Sequence, residues 1–209
     1  MDNSILLIVF QLVVLLFSVM LHEISHGLVA LRLGDQTAKD AGRLTLNPIS
    51  HLDPFGSVIL PILLVLTNSP VVLGWAKPVP YNPNALYKDF RYGPLKVALA
   101  GPLSNLALAL VFGLIIRFGI GLLSPTILGF LSIIVLMNCY LAVFNLVPIP
   151  PLDGSKIFSA ILPPRYAHII ENIGLSGVLV VVLFLYFFGF IIMVPAEALF
   201  YLFTGVGAL

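Results

Sequence analysis

The chain has 209 residues, of which 60% are hydrophobic and only 9% are charged, and its mean hydropathy is +1.11. A water-soluble domain needs many more charged residues on its surface, so this composition excludes that class and indicates the lipid bilayer as solvent. The net charge of +1 comes without a basic cluster, so we do not expect nucleic acid as a partner. We therefore predict an all-α polytopic membrane protein whose residues 1–209 form a single membrane-embedded domain.

The first half of the chain contains one long apolar run and one interrupted run. Residues 5–33 predict a transmembrane helix, because a span needs roughly 20 mainly apolar residues. The polar stretch that follows contains Arg-Leu-Thr-Leu-Asn-Pro at 43–48, which predicts a short strand entering a turn. Residues 55–73 are apolar but are interrupted by Pro61 and by Thr-Asn-Ser-Pro at 67–70. We expect this run to be a re-entrant segment, with a full crossing as the alternative.

The second half alternates apolar runs with proline-rich loops. Residues 74–93 contain Trp-Ala-Lys-Pro-Val-Pro and cannot form a regular helix, because each proline removes a backbone donor. A second proline-rich turn covers residues 148–154, and the last apolar run is expected to break near Pro195. The chain thus predicts four to six transmembrane or re-entrant segments, a small β element and membrane-associated loops. The further spans are expected at about residues 94–118, 125–147 and 175–203.

The first span carries the motif with the clearest chemistry. His22-Glu23-Ile24-Ser25-His26 has the pattern HExxH on a predicted helix, so the two imidazoles project from one face and can bind one Zn²⁺. Glu23 lies beside them, where it can take a proton from water. Ionisable side chains deep in a span cost roughly 2.5 kcal/mol or more each, so three of them within one helical turn indicate a function.

A catalytic zinc site usually has three protein ligands and one open position, so a third ligand must come from elsewhere in the chain. Asp153 follows a proline-rich turn, where Gly154 allows the backbone to turn sharply, although a lone Asp in a turn is more often a turn former. We expect His51 to be a solvated loop histidine. The candidates that the residues alone leave open are Asp153, His51, His168, Glu171 and Glu197.

Two of these segments together resemble a known family. His-Glu-Ile-Ser-His-Gly at 22–27 and Asn-Leu-Val-Pro-Ile-Pro-Pro-Leu-Asp-Gly at 145–154 are similar to the paired signature of the site-2 proteases, which are intramembrane zinc metalloproteases of the M50 type. Ala-Gly-Pro-Leu-Ser-Asn at 100–105 and Gly-Trp-Ala-Lys-Pro-Val-Pro at 74–80 also resemble family segments and occur in the same order. The resemblance covers nearly the whole chain and is to the small form without a PDZ or CBS domain.

The resemblance implies a zinc metalloendopeptidase that hydrolyses peptide bonds within or near transmembrane segments of membrane protein substrates. By it, His22, His26 and Asp153 bind one Zn²⁺ per chain, and Glu23 is the catalytic general base. It also implies a prokaryotic cell membrane as the location, while the substrate and the oligomeric state stay open. The residues that it implies for substrate binding or for lining the active site are Asn105, Asn145 and Pro148.

A shared zinc ion also constrains the topology. The first span ends beside basic residues, so the positive-inside rule places that end in the cytoplasm and the N-terminus outside. Asp153 must then arrive at the cytoplasmic side, and residues 55–73 must begin and end there, as a re-entrant segment does. In this arrangement nine of the ten basic residues are cytoplasmic and only Arg117 is outside. We therefore expect the active site to lie toward the cytoplasm.

Two other functions remain possible for such a site. A catalytically inactive, protease-like membrane binding protein would keep the zinc ligands, but the intact Glu23 argues against it. A metal transporter would need further polar residues along a path through the membrane, and spans 94–118 and 125–147 offer few beyond Asn105, Asn138 and Asn145.

Overall fold

The architecture is that of a helical membrane protein. The computed structural model describes residues 3–59, 66, 76–163 and 176–207. The described helices are α1 (Asn3–Leu33), the single-turn α2 (Thr37–Asp40), α3 (Gly93–Gly119), α4 (Pro125–Asn145), α5 (Asp153–Ile161), α6 (Ser176–Phe188) and α7 (Phe190–Thr204). Shorter 3-10 turns occupy Pro48–His51 and Pro83–Ala85, and one π-helical turn occupies Pro54–Ile59.

Three of these helices, α1, α3 and α4, are long and apolar enough to cross a membrane. Helices α6 and α7 together are also long enough, and they are bent by 72° relative to each other, so they form either a broken span or a re-entrant loop. The predicted all-α polytopic class is confirmed. Helix α3 packs between α1 and α4, α7 packs against both α3 and α4, and α5 packs against α3.

Small side chains allow α3, α4 and α7 to approach closely. Ala109 of α3, Cys139 of α4 and Ala196 of α7 are each 0% exposed and lie in one cluster with larger apolar side chains. Interfaces between helices in a membrane favour such small residues, because the hydrophobic effect does not drive association there and close van der Waals contact must do so. The cluster therefore holds α4, and the turn that follows it, in a fixed place beside α3.

The prediction of a small β element at residues 43–48 is wrong, since the described residues contain no strand. Residues 44–46 form bends, and local side-chain bonds replace a ladder: Thr45 Oγ1 accepts the N–H of Asn47, and Asn47 Oδ1 accepts the N–H of Ile49. Asn47 thereby caps the 3-10 turn Pro48–His51. Short polar side chains that bond to their own backbone compete with sheet formation, which is why the apolar alternation misled the prediction.

The break in the last apolar run lies at Gly189 and not near Pro195, as the sequence suggested. Pro195 lies inside α7, while Gly189 separates α6 from α7 at the 72° bend. Pro195 is accommodated inside α7, whereas Gly189 disfavours helix, and a Cβ there would lie 2.7 Å from Leu185 O. The expected re-entrant run 55–73 lies for the most part outside the described residues, which include only its beginning up to Ile59 and Leu66.

Candidate metal centre

Three side chains from two distant parts of the chain converge beside α3. His22 and His26 lie one turn apart on α1, and Asp153 is the first residue of α5. Asp153 Oδ2 lies 2.9 Å from His22 Nε2 and 3.0 Å from His26 Nε2, and the two Nε2 atoms are 3.1 Å apart. All three residues are buried, with exposed fractions of 5–7%.

The turn between α4 and α5 explains how Asp153 reaches α1. Gly154 lies so close to the preceding turn that a Cβ there would be 2.3 Å from both Leu146 O and Val147 O. Any other residue at this position would push α5 away from the end of α4. The sequence analysis expected Gly154 to provide a sharp backbone turn, but the residue lies inside α5, and its missing side chain instead permits this close approach.

The hydrogen bond made by Nδ1 of each imidazole determines the protonation of Nε2, the nitrogen that faces Asp153. His26 Nδ1 donates to Val97 O at 2.6 Å, since a carbonyl can only accept. His22 Nδ1 donates to Asn105 Oδ1, also at 2.6 Å. A neutral imidazole carries one proton, so both Nε2 atoms present lone pairs. Two nitrogen lone pairs and a carboxylate oxygen thus meet with no proton between them, an arrangement that a cation stabilises.

Space for an ion is provided by Gly101 of α3. A Cβ on this residue would lie 2.4 Å from His22 Nε2 and 2.4 Å from His26 Nε2, so only glycine leaves this side of the cluster open. Two imidazole nitrogens and one carboxylate oxygen are a donor set typical of catalytic zinc, with a fourth position left for water or substrate. The three residues are a group that could hold a metal ion, and their donors fit Zn²⁺.

Glu23 lies next to this cluster on a small cavity. Its Oε2 accepts the N–H of Val79 at 2.8 Å, so the carboxylate is held by segment 76–82, which has no regular secondary structure. The cavity has a volume of about 30 Å³, enough for one or two water molecules. Its walls are formed by Glu23, His26, Pro78, Val79, Tyr81, Val97, Ala98, Asp153 and Lys156.

Comparison with known proteins shows which family this chain is similar to. The sequence profile described as Peptidase family M50 matches residues 121–189, which include Asp153. "Putative zinc metalloprotease YwhC" of Bacillus subtilis is 40% identical over 162 residues, which are 74% of this chain and 70% of YwhC. "Putative zinc metalloprotease Rip2" of Mycolicibacterium smegmatis is 32% identical over 81% of this chain and 64% of Rip2. "Zinc metalloprotease MJ0392" of Methanocaldococcus jannaschii is 31% identical over 88% of this chain and 44% of its own length. No solved structure is significantly similar.

The chain belongs to the site-2 protease family, peptidase family M50. By this membership it is a zinc metalloprotease and a multi-pass membrane protein. The chain spans more than two thirds of YwhC but only 64% of Rip2 and 44% of MJ0392.

The other residues expected at this site-2 protease centre lie in different places. Asn105 is 0% exposed and bonds directly to His22. Asn145, the last residue of α4, donates to Leu141 O at 3.0 Å, and Pro148 is exposed in the following turn. No described hydrogen bond joins Asn145 to the three converging side chains. The roles toward substrate that we expect for Asn105, Asn145 and Pro148 therefore stay predictions.

His51 differs from the expectation of a solvated loop histidine, because it is 1% exposed. Its Nε2 bonds to Thr45 O at 2.9 Å, and its backbone oxygen accepts the N–H of Lys77. Arg43, which is 7% exposed, donates from Nη2 to Lys77 O at 2.6 Å. Residues 43 and 51 thus bind the backbone of Lys77 from both sides, and this fixes the segment whose Val79 N–H holds Glu23.

Sequence reasoning missed Lys156, which lines the cavity. Its Nζ lies 3.0 Å from Asp153 Oδ1, the carboxylate oxygen that does not face the histidines. The cation therefore holds Asp153 with Oδ2 toward the imidazoles. The sequence signal for Lys156 was its position three residues after Asp153, because this spacing brings two side chains to the same face of a helix. That signal becomes readable only once Asp153 is known to begin a helix.

Proposed function

We propose that this site-2 protease hydrolyses peptide bonds within or near transmembrane segments of membrane protein substrates, with one Zn²⁺ bound by His22, His26 and Asp153. The observation that carries the proposal is the convergence of three lone-pair donors beside Glu23 and a water-sized cavity. This cluster lies in the C-terminal half of an apolar helix that is long enough to span the bilayer. A substrate bond must therefore come to the centre from within or beside the membrane.

Glu23, the Val79 N–H and Lys156 have separate roles beside the zinc ion. Zn²⁺ at this triad supplies Lewis acidity, which polarises a peptide carbonyl and acidifies water. Glu23 is the general base that takes a proton from the attacking water and then delivers it to the departing amide nitrogen. The Val79 N–H holds Oε2 of Glu23, so the carboxylate is oriented before substrate arrives. Lys156 keeps Asp153 in one orientation by binding its Oδ1.

Segment 76–82 is our candidate for holding an unwound substrate. It has no regular secondary structure, and its Pro78, Val79 and Tyr81 line the cavity beside Glu23. A substrate helix hides its carbonyls in hydrogen bonds and must unwind locally, and a segment outside any helix can then pair with it through main-chain hydrogen bonds. Asn145, which ends α4 before the turn that delivers Asp153, and Pro148, which lies in that turn, are proposed to contact the same strand of substrate.

We propose that the protein resides in the cell membrane of a prokaryote with the metal centre toward the cytoplasm. The support is the charge bias: Arg32, Lys39 and Arg43 lie at the end of α1 nearer His26, whereas Arg117 is the only basic residue at the other end of α3. Basic residues near spans are enriched on the cytoplasmic side.

The test is cleavage of synthetic single-span peptides by the detergent-purified protein, with products identified by mass spectrometry. Glu23→Gln keeps the size of the side chain but cannot accept a proton, so we expect its rate to fall by a factor of about 10² to 10⁴. Its zinc content should match that of the unmodified protein, because Glu23 is not among the three donors. Equal cleavage by Glu23→Gln would contradict the assignment of the base. Zinc-loaded protein that retains the peptides and cleaves none would identify an inactive binding protein instead.

A further inference from the structure

Beyond the metal ligands lies a chain of polar side chains that the mechanism above does not use. We propose that Asn138, together with Ser18, is a positioning residue that fixes which nitrogen of His22 faces the metal, acting through the amide of Asn105. The inference rests on the zinc site of the proposed function and adds to it a device that sets the protonation pattern of one ligand.

These polar side chains are buried inside the helix bundle, which indicates a structural or functional role. Asn105 and Asn138 are each 0% exposed, and Ser18 is 4% exposed. They come from α3, α4 and α1, the three helices that are long and apolar enough to span the membrane. Polar groups in the middle of such helices are costly and face the bundle interior when they are retained. Three of them placed in contact beside a metal ligand need an explanation.

The hydrogen bonds among Ser18, Asn138 and Asn105 have a fixed direction, because one of their donors is bound by a backbone carbonyl. Asn138 Nδ2 donates to Ile134 O at 2.9 Å, and a carbonyl can only accept, so the amide nitrogen of Asn138 must point there. The same Nδ2 donates its second hydrogen to Ser18 Oγ at 3.0 Å. The amide oxygen of Asn138 is therefore left to face Asn105.

The direction then passes through Asn105 to the metal ligand. Asn105 Nδ2 donates to Asn138 Oδ1 at 2.9 Å and, over a longer 3.4 Å, to Ser18 O, and together these bonds turn Asn105 Oδ1 toward His22. Asn105 Oδ1 can only accept, so His22 Nδ1 carries the ring proton in their 2.6 Å contact. His22 Nε2 is then the lone-pair nitrogen on the side of Asp153. If the amide of Asn105 were flipped, its nitrogen would face His22 Nδ1 and the ring would hold its proton on the wrong side.

The competing explanation is that these residues only join the three helices, as polar side chains in membranes often do. That role predicts a loss of stability without any specific effect on metal binding. The two explanations separate when zinc affinity is measured in variants that remain folded. Thr204 supplies a matched control: it is also 0% exposed and polar, and it bonds to Phe200 O and Val206 O, away from His22.

The experiment measures zinc affinity by competition with a chelator in Asn138→Leu, Asn138→Ala and Thr204→Val. Variants are compared only if their melting temperature in detergent stays near that of the unmodified protein, and the smaller alanine serves if leucine prevents folding. We expect a 10- to 100-fold loss of affinity in the Asn138 variants, which is typical when a group that orients a metal ligand is removed. Thr204→Val should bind zinc normally. Ser18→Ala should lose less, because the bond to Ile134 O remains.

A second readout reports the ring itself. Nitrogen-15 NMR of zinc-free protein labelled at its four histidines should show His22 with its proton on Nδ1, and Asn138→Ala should introduce the form protonated on Nε2. A folded Asn138 variant with unchanged affinity and an unchanged His22 ring would overturn the proposal. Neither readout needs proteolysis. The proposal therefore survives if zinc affinity falls while no peptide is cleaved, an outcome that would contradict only the proposed function.

Discussion

At the scale of single residues, Gly101 is as decisive for the metal centre as the residues that bind the ion. It leaves open the side of the cluster where a Cβ would lie 2.4 Å from both Nε2 atoms. Gly101→Ala should therefore lower zinc affinity by about tenfold or more, an effect comparable to losing a ligand-orienting contact. The measurement is chelator competition. Gly129→Ala is the control, since a Cβ there meets nothing within 4 Å and alanine favours the helix by roughly 0.5–1 kcal/mol. Equal zinc affinity in both variants would contradict this account of Gly101.

The sequence predicted the residues of the centre unequally. His22, Glu23 and His26 followed from spacing on one helix, because a period of 3.6 residues fixes which side chains share a face. Asp153 is separated from His26 by 127 residues, and only the family resemblance selected it from the other candidates. Ser18 and Asn138 could not be assigned at all, since their role depends on contacts between three helices. The one available clue was their polarity within apolar spans.

At the scale of elements, segment 76–82 is fixed to the end of α1 by Asp35. This residue is 1% exposed, its Oδ1 accepts the N–H of Thr37 at 2.9 Å, and its Oδ2 accepts the N–H of Asn82 at 2.6 Å. Burial raises the pKa of this carboxyl, but the hydrogen bonds from Thr37 and Asn82 outweigh it and hold the pKa below its usual value. The ionised form is therefore part of the folded structure.

Asp35→Asn should destabilise the protein by roughly 1–3 kcal/mol at neutral pH, because an amide cannot accept on both sides. Thermal unfolding in detergent measures this, with the exposed Asp40→Asn as control. A carboxyl whose pKa is lowered by folding contributes stability above its unfolded pKa of about 3.9 and loses it as pH falls through the folded value. The difference between Asp35→Asn and the unmodified protein should thus persist down to about pH 4 and shrink below it. A difference independent of pH down to the folded pKa and below would contradict the role of the ionised form.

Element boundaries show where sequence patterns stop being sufficient. Helices α1, α3 and α4 coincide closely with the predicted spans, because a run of about 20 apolar residues has few alternatives in a bilayer. The strand expected at 43–48 did not form, since Thr45 and Asn47 bond to their own backbone. The bend in the last run depends on competition between Gly189 and Pro195, which a pattern of apolar residues does not resolve.

At the scale of the whole molecule, the orientation in the membrane is open to direct test. Cys139 is the single cysteine and is 0% exposed, so Cys139→Ala gives a cysteine-free background. Asp40→Cys should react with a membrane-impermeant maleimide only from the cytoplasmic side, and Leu122→Cys only from the outside, because basic residues favour the cytoplasmic face. Intact spheroplasts and inverted vesicles distinguish the two sides. Labelling of Asp40→Cys in intact spheroplasts would mean that the metal centre faces outward.

The most direct test of the account is the zinc content of the detergent-purified protein, compared with that of His22→Ala and Asp153→Ala. These residues lie 131 positions apart in the sequence, and His22 Nε2 is 2.9 Å from Asp153 Oδ2 in the folded chain. We predict about one zinc per chain in the unmodified protein and a large loss in both variants, because each removes one of the three protein ligands that a catalytic zinc site usually has. Zinc that is absent from the unmodified protein, or that is unchanged by Asp153→Ala, would contradict a single centre shared by α1 and α5.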